Sequence, residues 1–143
     1  METTNPIPSW FKVTVITAIV WNILGVLAFV GHVMMTPEAI ATLPAAEQKL
    51  YQDTPVWATI AFAIAVFAGL LGSISLLLKK AICLPLLIAS LVGIIVQDIN
   101  SFLLSNTLEV YGAAVITMPI FVLIIALLLI ALANKGKANN WFS

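Results

Sequence analysis

Asp98 is the one carboxylate that falls inside a long apolar stretch of this chain, AICLPLLIASLVGIIVQDINSFLL from Ala81 to Leu104, where Gln97, Asn100 and Ser101 stand beside it. A charged carboxylate within a bilayer span costs about 3 kcal/mol on insertion scales, so it must face a partner, water or the interface rather than lipid. Two readings are open. In the first, Asp98 accepts a proton or a polar solute, His32 is its titratable partner and Asn22 lies deeper on the same path. In the second, these groups form a satisfied polar knot that only orients helices. At about 1.5 Å of rise per residue, Gln97 and Asp98 lie roughly 10 Å below one end of their span, at a depth similar to His32. Tyr111 and Trp57 fall just above them. The expected site is therefore Asp98, Gln97, His32, Asn22, Asn100 and Tyr111, in a polar vestibule between the first, third and fourth spans.

Other chemistries lack their residues. Cys83 is the sole cysteine, which excludes an intrachain disulfide or a dithiol pair. With a single histidine, no bis-histidine haem forms within one chain, and no Cys or His cluster offers a metal site. No G-x-S-x-G elbow accompanies the serines. There is no arginine, so bidentate capture of phosphates is disfavoured. The chain is expected to be no enzyme and to hold neither cofactor nor metal.

The elements that position these groups follow from composition. Of 143 residues, 62% are hydrophobic and 8% charged, whereas soluble chains carry roughly 25% charged residues. Spans of about 20 apolar residues suit a bilayer, and four are present, at about 10–35, 55–78, 81–104 and 110–134. The expected fold is all-α: a single domain over 1–143, an integral membrane four-helix up-down bundle with a short amphipathic outer connection. Lys12, Lys79, Lys80, Lys135 and Lys137 fall on the side of both termini, and Lys49 alone on the other. By the positive-inside rule both termini are cytoplasmic and the opposite, mildly acidic face is outer. A nucleic-acid partner is excluded because no basic cluster exists on a soluble element. The first apolar run is longer than a signal-peptide core and is expected to remain as an uncleaved anchor.

Along the chain, METTNPIPS reads as a tail, and Thr36-Pro37-Glu38, Leu43-Pro44 and Thr54-Pro55 each read as a helix start. Thr14, Ala18, Asn22, Gly25, Phe29 and His32 recur at helical spacing on one face. Ala61, Ala65, Gly69 and Ser73 recur every four residues and make a close-packing face, against another span of the chain or against a second subunit. Pro119 is expected to kink the fourth span and free the carbonyl of Val115. KGKANNWFS should close the chain with Trp141 and Phe142 dipping to the interface.

Trp21-Asn22 with Gly25, Met34-Met35-Thr36 leading to Leu43-Pro44, Tyr51 with Pro55 and Trp57, the run AFAIAVFAGLLGS, Val96-Gln97, Glu109-Val110-Tyr111-Gly112 and Met118-Pro119 together resemble a family of small bacterial four-span proteins of about this length, many of them labelled sugar transporters. The resemblance spans nearly the whole chain and implies a multi-pass protein of the bacterial cytoplasmic (inner) membrane. The expected function is a small-solute transporter or permease-like protein acting as an oligomer. The alternative is a non-catalytic accessory subunit that packs in the bilayer against a larger membrane complex.

Overall fold

The computed structural model describes residues 6–142, so Met1 to Asn5 of the N-terminal tail lie outside it. The chain is all-α. Helix α1 covers Ser9–Val33 and follows Pro8, which cannot continue a helix backwards. Thr36 then caps the short α2 (Pro37–Ala41) by accepting the Ala39 amide at 3.1 Å. Pro44 starts α3 (Ala45–Asp53), and Gln48 Nε2 donates back to the carbonyls of Leu43 at 2.7 Å and Ala41 at 3.2 Å. Those two bonds fix the corner between the short helices.

Pro55 precedes α4 (Val56–Leu77), which turns over residues 78–82 into α5 (Cys83–Ile99). Helix α5 continues as a π-helical turn, Asn100–Leu104, before α6 (Thr107–Tyr111). Gly112 breaks the chain there with φ +82°, a 3-10 turn covers Ala113–Ile116, and α7 runs over Thr117–Ala138. Four segments, Ser9–Val33, Val56–Leu77, Cys83–Leu104 and Ala113–Ala138, are long and apolar enough to cross a membrane. They make an up-down bundle in which α4 packs on α1 and α5, and α5 packs on α7. This is a multi-pass membrane fold.

The contact between α4 and α5 is close because small residues line it. A Cβ placed on Gly93 of α5 would lie 2.7 Å from the Ala61 carbonyl oxygen and 2.8 Å from the Ala65 nitrogen. Backbone meets backbone there, the arrangement by which membrane helices gain contact when lipid is as apolar as their side chains. Ala61, Ala65, Gly69 and Ser73 are all buried within the chain, against α5 and α1. The outward faces of α1 and α7 instead present Val, Ile and Leu side chains, as lipid-facing spans do.

At the end that carries both termini, the bundle is sealed. Phe11 and Val15 of α1, Leu76 of α4, Cys83 and Leu87 of α5, Leu129 and Ala133 of α7, and Trp141 form one buried cluster. Trp141 meets Phe11 edge-on at 5.0 Å, and the Phe142 ring covers Gly136. The closing aromatics therefore fold onto the bundle itself rather than outward. Lys135 reaches back over the Trp10 ring at 4.9 Å.

Two helices end here in the same way. Lys79 (φ 61°) and Asn140 (φ 55°) each take the left-handed conformation just past α4 and α7. The amides that follow bond back, Lys80 to Ser75 O and Trp141 to Gly136 O, each at 2.9 Å, while Lys79 bonds Leu76 O and Asn140 bonds Lys137 O at 3.2 Å. This paired pattern satisfies the last carbonyls of a helix.

The fourth span differs from its expected form. Val110 and Tyr111 belong to α6, and the apolar run begins at Ala113 and continues to Ala138, so Lys135 and Lys137 lie on the last turns of α7 rather than in a tail. Pro119 sits at the third residue of α7, directly after the 3-10 turn. A proline in a first turn removes no necessary bond, so it marks the helix start and does not kink the span.

Candidate functional site at the loop end of the bundle

At the end opposite the termini, α1, α4 and α5 diverge, and α3 and α6 arch over the gap. The result is an open cavity of about 910 Å³. Its wall carries His32 from α1, Tyr51 from α3, Phe62 from α4, Gln97 from α5, Asn100 from the π-helical turn and Tyr111 from α6. Charged groups at its border are Lys49, Asp53 and Glu109. Residues of α7 take no part, so the fourth span does not bound the vestibule as the sequence suggested.

The helical register explains which polar groups meet. Gln97, Asn100, Ser101 and Leu104 are spaced at three, four and seven residues, lie on one face and all line the cavity. Asp98 is one residue out of that register. It follows Ile94 by one turn, and is partly buried and off the cavity wall. Among the described residues its carboxylate makes no side-chain hydrogen bond or ion pair.

His32 is held by rings rather than by an acid. It stacks on Tyr51 at 5.1 Å with 25° between planes, and Phe62 lies 6.0 Å away at 49°. One turn below, Phe29 packs on Phe62 at 5.3 Å and on Phe67 at 5.7 Å. Aromatic side chains of α1 and α4 thus pack on one another beside the cavity, with Phe67 on an exposed face.

Asn22 lies in that deeper part and does not line the cavity. Its amide donates to the Ala18 carbonyl and to Ser73 Oγ, both at 2.9 Å. Ser73 in turn donates to Gly69 O at 2.8 Å, and Ser90 of α5 donates to Ala65 O at 2.6 Å. A Cβ on Gly69 would come 2.5 Å from Asn22 Oδ1 and 3.0 Å from Ser90 Oγ. Asn22 is therefore a polar tie between α1 and α4, with its donors used, and Ser90 separately ties α5 to α4.

Tyr111 stands above the spans, at the border of the cavity. Burial, then the nearby charge of Glu47 and the neighbouring Tyr51, push its hydroxyl up from the usual phenol range. It stays neutral and able both to donate and to accept.

Of the six expected site residues, the fold brings together His32, Gln97, Asn100 and Tyr111, and leaves Asp98 and Asn22 outside the cavity. It adds Tyr51 and Phe62. Tyr51 enters the sequence reading only among the residues of the family resemblance, and Phe62 follows Ala58 by one turn beside the small-residue stripe of α4, a spacing that could flag it. Two ring planes, two side-chain amides and a neutral phenol can grip a small polar molecule through stacking and hydrogen bonds. No group of three or more metal-ligating side chains occurs among the described residues. Comparisons of the chain with protein-family models, curated proteins and solved structures return no match.

Proposed function

We propose that this protein is a small-solute permease-like protein, acting as an oligomer, and that the loop-end vestibule is its solute-binding half. The observation that carries this reading is the cavity itself. In a chain that is 62% hydrophobic, one end alone gathers His32, Tyr51, Gln97, Asn100 and Tyr111 around about 910 Å³ of open space. Binding sites are usually concave, partly apolar and set with a few convergent polar groups. Similarity to the four-span family labelled sugar transporters agrees with a small polar solute. Because one four-helix bundle is thin for alternating access, passage would need a second copy. The lysine bias supports cytoplasmic termini and a vestibule on the outer side, and the family resemblance supports a bacterial inner membrane as the setting.

A second reading, a non-catalytic subunit of a membrane complex, is favoured by the far end, where the buried cluster around Phe11 and Trp141 fills the bundle. Solute flux into proteoliposomes separates the two. Under the permease reading, wild-type protein passes at least one member of a panel of sugars and small polar solutes faster than empty vesicles, and Gln97→Ala and His32→Ala slow it at least tenfold. Asp98→Asn slows it less, since Asp98 is off the cavity. Flux equal to empty vesicles for every solute would leave the accessory-subunit reading.

A further inference from the structure

We infer that the protein carries a second binding site, for the headgroup phosphate of an anionic phospholipid, in the cleft between the start of α5 and the end of α7. This cleft of about 310 Å³ is independent of the vestibule and lies at the opposite end of the bundle. Leu84 and Pro85 of α5, Ala133 of α7 and Phe142 give it apolar walls, and Lys137 and Asn140 stand at its polar edge. An apolar slot between two spans, with an ammonium at its mouth, suits a molecule that is both greasy and negatively charged.

The surroundings favour a lipid. Five of the six lysines, Lys12, Lys79, Lys80, Lys135 and Lys137, gather at this end, and among the described residues no carboxylate stands there. Basic residues near a membrane surface attract anionic lipid, and basic pockets between spans on the cytoplasmic side are where such headgroups settle. Lys135 is engaged over Trp10, so the cation that borders the cleft is Lys137. Trp10, exposed at the same end, marks the depth at which headgroups begin. The left-handed turn at Asn140 brings Phe142 back over Gly136 and so builds one wall of the cleft.

The test titrates phosphatidylglycerol and phosphatidylcholine into the purified full chain in mild detergent and counts retained lipids by native mass spectrometry. Phosphatidylglycerol should be held at least tenfold more tightly than phosphatidylcholine. Lys137→Gln should remove most of that preference, Lys137→Arg should keep it, and Lys12→Gln, which leaves the cleft untouched, should change it less than twofold. Lys137 is exposed, so these variants fold. A hundredfold excess of inorganic phosphate or of deacylated glycerophosphoglycerol should leave the lipid bound. Equal retention of the two lipids, the same loss in Lys12→Gln as in Lys137→Gln, or displacement by free phosphate would overturn the proposal, the last by showing a plain ion site.

Discussion

The two ends of this bundle are built from the same four spans, yet one is sealed and the other open. At the sealed end and through the middle, glycines, alanines and serines on α4 and α5 let backbones touch, and the remaining space is filled by Phe11, Leu76, Leu87 and Trp141. At the open end, α1, α4 and α5 carry His32, Phe62 and Gln97, whose bulk and polarity hold the helices apart, and two short helices arch across. A membrane bundle without a hydrophobic drive between its helices gains contact where small side chains let backbones meet.

One substitution made at two glycines breaks or sharpens this contrast most. Gly93→Ala pushes a methyl group into the backbone of Ala61 and Ala65, which cannot yield, and should cost about 3 kcal/mol or prevent folding. Gly31→Ala, on the vestibule wall with nothing within 4 Å, should be neutral or stabilise by up to about 1 kcal/mol. Denaturant unfolding in mixed micelles reads both. Equal effects would mean that the two regions do not differ in packing.

Next in size are two changes at the closed part, of opposite sign. Asn22→Ala removes the tie to Ser73 and should lower stability by about 1 kcal/mol in the same assay, with Ser73→Ala adding little on top because the two share one bond. Lys79→Gly relieves a left-handed lysine and should raise stability by about 1 kcal/mol. Asn140→Gly should gain less, since asparagine tolerates that conformation.

The smallest effect is at the open end and depends on pH. Because Tyr111 is held above its ordinary titration range in the folded chain, the stability it contributes is present below the unfolded phenol value, near 10, and is lost as pH rises through the folded one. The ultraviolet titration at 295 nm, taken as the difference from Tyr111→Phe, should show this raised midpoint, and Glu47→Gln should move it down without abolishing the shift, because burial is the larger cause. A midpoint that ignores Glu47 would mean that α3 does not pack beside α6.

Much of the architecture is legible without coordinates. Hydropathy over about 20 residues identifies each span, prolines after Thr36, Leu43 and Thr54 announce the short helices, and the four-residue repeat from Ala61 to Ser73 marks a packing face. The candidate site is legible only in part. Asp98 stands out by charge alone, whereas helical register assigns the cavity to Gln97, Asn100 and Ser101 and leaves Asp98 off its wall. Pro119 misleads for a related reason, since a proline kinks a helix only when a turn of α-helix precedes it, and here a 3-10 turn does.

By itself the chain's order of residues determines that it crosses a membrane, how often, and which end collects the lysines, because these depend on transfer free energies summed over local stretches. Which polar groups face one another, whether the small-residue stripe is used within the chain, and where the helices part are decided only in three dimensions. They depend on the rotation of each helix about its axis, a quantity set by close contacts such as Gly93 on Ala61 and not by any one segment alone.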